Sequence, residues 1–326
     1  MFNRFPAGTL PHPHVRLELV KAGAFLPGPA PLYRRMTFAH ETRGQMTSAS
    51  TIPADPARID PSIRAVIMDR LSAIESEHGV RILFACESGS RGWGFASPDS
   101  ENDVRFIYVH PVEWYLSLSP GPDVIELPVD QVYDIGGWEL RKALNLLKKG
   151  NPTVVEWLNS PVTYRSEPGF LRGIRSAATA VHRPEKSLHH YLHMAQGNFH
   201  KYLCGDRINL KKYLYVLRPL LACMWIRSEY GIPPMRFQDL VDRMVTDSEL
   251  CQAIDELLAR KALISESACG HPIPLLHNFI TATLAGLEAM PAQPESLRPD
   301  FTILDRLMVD TVLESVLPVT GHAPDE

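Results

Sequence analysis

Gly89–Ser90 and Glu101-x-Asp103 are the residues whose types and spacing point to chemistry. Glycine carries no Cβ, so the backbone at Gly89 can come close to a phosphate. Ser90 offers a hydroxyl and a backbone N–H to phosphate oxygens. Glu101 follows Ser90 by eleven residues, and Asp103 lies two further on. On an extended strand start, that spacing points both carboxylates to one face. Two convergent carboxylates are the minimum for holding Mg²⁺ against a nucleotide triphosphate. Arg91, directly after Gly-Ser, is placed to reach phosphate. Arg105 shares the face of Asp103 by strand parity and can neutralise or orient the acids. A structural ion pair is the alternative for both arginines.

The elements that must position these groups follow from the hydrophobic pattern. Asp60–Pro61 opens a helix, with an N-cap and a proline in the first turn. Ile63, Val66, Ile67, Leu71 and Ile74 recur at helical spacing until Gly79. Val80 to Cys86 reads as a short buried strand, Asp103 to Val109 as a second and Val129 to Ile135 as a third. Helical spacing runs from Trp138 to Lys149, and a short helix from Thr153 to Leu158. Beyond residue 166 the strands disappear. Helices are predicted near 167–180, 186–204, 209–230, 236–245, 247–262, 271–288 and 299–316. An α/β part therefore precedes a helical part, with a boundary near Pro161–Pro168.

The strand, the Gly-Ser turn and the spaced acidic-x-acidic on the next strand resemble the polymerase-beta-like nucleotidyltransferase superfamily. Three blocks in order narrow the likeness: GSRGWGFASPDSENDVRFIYVHPVEWYL, YDIGGWELRKALNLLKKGNPTVVEWLNSP and LKKYLYVLRPLLACMWI. Together they resemble the YcgL-type predicted nucleotidyltransferases, an RNA-repair-pathway polymerase-beta family. The resemblance runs from about residue 60 to 265. It implies an α+β fold: a nucleotidyltransferase-type mixed sheet with flanking helices, then an all-α domain. Composition and element pattern divide the chain into a disordered or overlong tail (1–54), a part that the resemblance makes the catalytic domain (55–165) and a helical part that it makes nucleotide- and substrate-binding (166–326). It implies transfer of a nucleotide monophosphate from an NTP, with ATP expected, to an acceptor hydroxyl. Mg²⁺ or Mn²⁺ is the implied cofactor, and an RNA 3′ end is the implied acceptor. A protein or small-molecule acceptor, and a binding-only regulator, are the alternatives.

The superfamily pattern also expects a third carboxylate on a neighbouring strand, to accept the proton of the attacking hydroxyl or to complete a metal set with Glu101 and Asp103. Asp134 fits, because a charge between Tyr133 and Ile135 is costly without a partner or metal. Asp130, of the same strand parity, is the fallback, and turn capping before Gly136–Gly137 is the structural alternative. The family's usual first acid is aspartate, and here it is Glu101. Glutamate is one methylene longer, and Mg²⁺ demands near-ideal octahedral geometry. Asp99, two residues earlier, is a candidate to compensate.

A second phosphate-facing side is expected on the helix from Leu210 to Trp225. Lys211, Tyr215 and Arg218 fall at i, i+4 and i+7, and Lys212 borders them. Cations there suit a triphosphate, and an aromatic can stack on a base. Leu210, Leu214, Leu217 and Leu221 supply the opposite, core-facing side. His189, His190, His193 and His200 cluster on the 186–204 helix. His189 and His193 have a spacing zinc uses, but no third ligand follows, and they read as surface or packing residues. Lys148 and Lys149 read as surface charge or a polyanion contact. Trp93, Phe95, Trp114, Trp138 and Trp157 read as core, with contact to a base the alternative for Trp93 and Phe95 in the motif loop.

Net charge is −4, but its distribution is uneven. Residues 55–140 carry −9, and residues 141–218 carry +10. Acidic groups can hold divalent metal and basic groups phosphates. Five cysteines without a CxxC pair read as reduced thiols of a cytoplasmic protein. No run approaches the roughly 18 apolar residues of a membrane helix. The first 54 residues are basic and proline-strewn. Disorder or an overlong start fits them better than a targeting signal.

Overall fold

The computed structural model describes residues 59–314, apart from 98, 120, 264–268, 292–293 and 295–298. The expected tail, and the end of the last expected helix, lie outside the described residues. The first half runs α1 (Pro61–His78), β1 (Arg81–Glu87), α2 (Gly89–Gly92), β2 (Asn102–Val109), α3 (Val112–Leu116), β3 (Val124–Glu126), β4 (Tyr133–Glu139), α4 (Leu140–Lys148), α5 (Thr153–Leu158) and β5 (Thr163–Ser166). The second runs α6 (Pro168–Ala180), α7 (Pro184–Tyr202), β6 (Ile208–Asn209), α8 (Lys212–Arg227), α9 (Phe237–Met244), α10 (Ser248–Leu263), β7 (Cys269–Gly270), α11 (Pro274–Ala289) and α12 (Thr302–Glu314).

The fold is α+β. Five strands form one mixed sheet in the order β3-β4-β2-β1-β5. β2 and β4 are parallel, and the other three pairings are antiparallel. α1 closes one face with Ile67, Leu71 and Ile74 against Ile82, Val104, Phe106 and Tyr108. Its ends are those expected: Asp60 accepts from the Ser62 amide, and Gly79 caps the helix at φ 61°. α4, α5 and α6 close the other face, where Leu144, Val154 and Ile174 meet Leu83, Phe84 and Ile107. α12 returns to this face through Leu304 and Val312. The sheet core therefore recruits two helices, α6 and α12, that lie beyond the boundary drawn from sequence. α7 to α11 form a separate core, built around α8 and including Phe95.

Two sequence readings need correction. The third strand lies at Tyr133–Glu139, four residues later than expected, and takes the start of the expected helix. Gly136–Gly137 looks like a turn, yet sits mid-strand. A Cβ on Gly137 would fall inside the Phe106 ring, so glycine makes room for an aromatic on β2. Strands also continue past the sheet's first four members: β5 pairs with β1, and β6 pairs with β7. These strands span four residues or fewer, too short to show a period.

α8 is buried nearly all round rather than on one side. Pro219 lies inside it, and the side-chain amide of Asn198 on α7 donates to the Tyr215 carbonyl at 3.0 Å.

Candidate active site

Parallel pairing of β2 with β4 sets Asp103 directly beside Asp134. Antiparallel pairing of β2 with β1 brings the same strand end to Glu87 and the turn that follows it. Gly89 takes φ 55°, and the Asp103 carboxylate lies over it so closely that a Cβ there would be 2.5 Å from Asp103 Cγ. The Ser88 amide donates to the Asp103 carbonyl at 2.7 Å, locking turn to strand. A cavity of about 260 Å³ opens here, lined by Ser90, Asp99, Ser100, Glu101, Asp103 and Tyr215.

Arg105 organises the acids. Its Nη2 lies 2.6 Å from Asp134 Oδ2 and 3.5 Å from Asp103 Oδ1. Its Nη1 lies 3.1 Å from Asp134 Oδ1 and donates to the Asp134 carbonyl at 2.8 Å. Both Asp134 oxygens are thus engaged by one guanidinium, the fork geometry arginine favours. Asp134 does not line the cavity. Burial raises the Asp103 pKa to about 6; Arg105 opposes the rise, while Asp134 and Glu101 add to it.

Behind the pair sits a carboxylate that sequence reasoning missed. Glu87 is fully buried at the end of β1. It accepts from the Asp103 amide at 2.9 Å and from the Tyr164 hydroxyl at 2.5 Å. Ser160 donates to the Glu87 carbonyl at 2.5 Å. Burial raises the Glu87 pKa to about 7, against the pull of those hydrogen bonds. An acid closing a buried apolar run was the available signal. Its partner Tyr164 lies on β5, which sequence did not show. The sign of the linkage follows. Folded Glu87 keeps its proton to about pH 7, and an unfolded glutamate loses it near about 4.3. Native stability therefore falls as pH rises through that window. Glu87→Gln keeps an oxygen for the Asp103 amide and cannot ionise. Its stability relative to the parent is expected to improve by on the order of 3 kcal/mol between pH 4 and pH 8. Chemical denaturation at several pH values checks this, and a pH-independent difference refutes it.

The other expected residues are placed as follows. Arg91, expected to reach phosphate or to form an ion pair, donates to the Ser100 and Glu101 carbonyls at 2.8 and 3.2 Å and so holds the acidic loop. Lys211 precedes α8 and is buried; its Nζ lies 3.2 Å from Ser97 Oγ and 3.3 Å from Asp99 Oδ1. It ties the helical layer to the motif loop. Hydrogen bonding from Ser97, then Lys211, lowers the Asp99 pKa. Tyr215 reaches the cavity, with Lys212 Nζ 4.4 Å from its ring centroid. Arg218 is a correction: it is buried, bonded to Glu156 at 3.0 Å and the Met235 carbonyl at 3.2 Å, and lies over Trp93. Tyr191 shares Glu156, so a buried network takes the charge expected at the phosphate side. Asp130, the fallback acid, caps the Val132 and Tyr133 amides and pairs with Arg70. Phe95 is core as expected, and Trp93 packs against it.

Residues 63–310 match the RNA repair pathway DNA polymerase beta family. The chain belongs to that family. The uncharacterized protein YcgL of Bacillus subtilis (strain 168) is 43% identical over 249 residues, 76% of this chain and 96% of the relative. The crystal structure of a nucleotidyltransferase-like protein from Exiguobacterium sibiricum 255-15 covers 77% of this chain and 78% of its own. At 13% identity and a TM-score of 0.27, that likeness is too distant to bear on the site. The family is nucleotidyltransferase-like.

Among the described residues, no group of three or more His, Cys, Asp or Glu can hold a metal by itself. Mg²⁺ is ordinarily held by one or two carboxylates, with waters and substrate phosphates completing its shell. Glu101 and Asp103 offer hard oxygens to one cavity and fit that mode. Asp134, expected as a third ligand, is committed to Arg105. No described helix is long and apolar enough to cross a membrane.

Proposed function

We propose that the protein is a Mg²⁺-dependent nucleotidyltransferase that moves an NMP from an NTP, ATP first among them, to an acceptor hydroxyl at an RNA 3′ end. The observation that carries this reading is Asp103, which lies over Gly89 and lines one cavity together with Ser90 and Glu101. Glu101 and Asp103 hold the cation, which when bound neutralises phosphate charge and polarises the α-phosphate. Ser90 and the Gly89 backbone receive the β and γ phosphates. Tyr215, with Lys212 against its ring, offers a stacking face to the base. Asp134 holds Arg105 beside Asp103, and the proton of the attacking hydroxyl passes to solvent in the open cavity. A bond forms from that oxygen to the α-phosphorus, the α–β phosphoanhydride bond breaks, and pyrophosphate leaves. Catalysis of this kind is mostly positioning and charge stabilisation. Residues 55–165 carry the chemistry in this reading, and the chain from 166 grips the substrates. Free cysteines among the described residues suit a cytoplasmic setting.

The test is pyrophosphate release from each of four NTPs, with Mg²⁺ or Mn²⁺, with and without short RNA. RNA-dependent release is expected, falling by at least about 100-fold in Asp103→Asn. Label transferred to protein would replace the RNA acceptor with a protein one. Nucleotide binding without release would make this a binding-only regulator, with Glu101 in place of aspartate as the cause.

A further inference from the structure

A second cavity, of about 580 Å³, lies between the end of α4 and the first half of α7. It shares no residue with the acid cavity. Its polar groups include Lys149, Lys186, His189, His190 and His193, and no carboxylate lines it among the described residues. Nearby, Glu185 pairs with Arg183 at 3.0 Å, and Glu156 accepts from Tyr191 and Arg218. Gly150, at φ 77°, lets the two helices meet there. A Cβ on it would lie 2.7 Å from Lys186 Cβ. The size is that of a ligand site. A divalent cation is disfavoured: the His189 and His193 rings are 4.1 Å apart, but two lysines flank them.

We propose that this cavity binds the phosphodiester backbone of single-stranded RNA, holding the strand whose 3′ end the acid centre extends. The assignment rests on the RNA reading of the acid centre. Two lysines supply the counter-charge, and the imidazoles supply N–H donors to phosphate oxygens. Leu146 and Met194 give the cavity an apolar surface for sugar or base faces. Burial lowers the His190 pKa; Glu156 opposes this, and His189 and His193 reinforce it. A bound phosphate, adding its charge to that of Glu156 and offsetting Lys149, Lys186 and the two neighbouring histidines, favours proton uptake there. Binding then tightens as pH falls from about 8 to about 6.

The experiment is fluorescence anisotropy of a labelled single-stranded RNA with the full chain and no nucleotide, over a range of salt. Each lysine–phosphate contact in a single strand contributes about 0.7 to the logarithmic salt slope. Lys149→Gln/Lys186→Gln is therefore expected to reduce the slope by about 1.4 and affinity about tenfold at low salt. Lys149→Arg/Lys186→Arg should retain the slope, which separates charge from damage to the fold. His190→Gln should flatten the pH dependence. An unchanged slope and affinity in the lysine-to-glutamine variant would overturn the proposal. So would inorganic triphosphate binding to these lysines where RNA fails to compete, which assigns the site to free polyphosphate. No nucleotide is present, so failure of the transfer reaction leaves this result standing.

Discussion

Gly89→Ala is expected to abolish pyrophosphate release and to lower the melting temperature well beyond what Gly79→Ala does. Both glycines have positive φ, 55° and 61°. The conformational penalty for alanine is therefore similar at the two, about 1 kcal/mol. The surroundings differ. Around Gly79 no atom lies within 4 Å of an added Cβ, whereas at Gly89 the new atom meets the Asp103 carboxylate. Either the turn or the carboxylate must move. Asp103 is held by its neighbours Arg105 and the Glu87–amide bond, so the turn and the strand come apart. For Gly79→Ala the expected loss is about 2–4 °C with full activity. Differential scanning calorimetry and the pyrophosphate assay, run on both variants, make the comparison. If Gly89→Ala keeps its transfer rate, the position of Asp103 does not govern the chemistry.

Arg105→Met should destabilise the protein by about 2 kcal/mol at pH 8, less than a wholly buried pair would cost because the site is partly open. The carboxylates of Asp103 and Asp134 then face each other with no cation between them. Asp103 already carries a raised pKa of about 6, and Arg105 is what holds it down. Without the guanidinium that pKa rises further. A raised carboxyl pKa means stability is lost as pH climbs through it, so the destabilisation shrinks towards pH 5. Adding Asp134→Asn removes the repulsion and should restore at least half of the loss. Mg²⁺ or Mn²⁺ should raise the melting temperature of Arg105→Met more than that of the parent, because the ion relieves the same repulsion. Equal shifts in both would mean that Arg105 does not act as counter-charge to the acids.

What was legible in the sequence was local or periodic. The Gly-Ser turn, the acidic pair and α1 with its caps are written in adjacent residues. Asp134 was legible because a charge between two apolar strand residues needs a reason, although its partner is a guanidinium rather than the expected metal. What stayed hidden was the long-range pairing. Lys211, Tyr215 and Arg218 share a helical spacing, but spacing cannot say that Glu156 and Asp99 would be waiting for two of them. Arg218 looks like a solvated cation because its partner lies 62 residues away in sequence. Glu87 looks like the end of a strand because its meaning depends on Tyr164, 77 residues on.

Proline at 219 has no N–H to give the carbonyl four residues before it, and that carbonyl belongs to Tyr215. Asn198 fills the vacancy from the neighbouring helix. An imperfection in one helix has thus become a rivet between two, placed on the residue that reaches the acid cavity. The two positions form one unit of inheritance. Pro219→Ala would restore a competing amide and strand the Asn198 donor, while Asn198→Ala would strand the carbonyl. Changes at either site alone should loosen the angle at which Tyr215 presents its ring, and only a paired change should leave that angle intact.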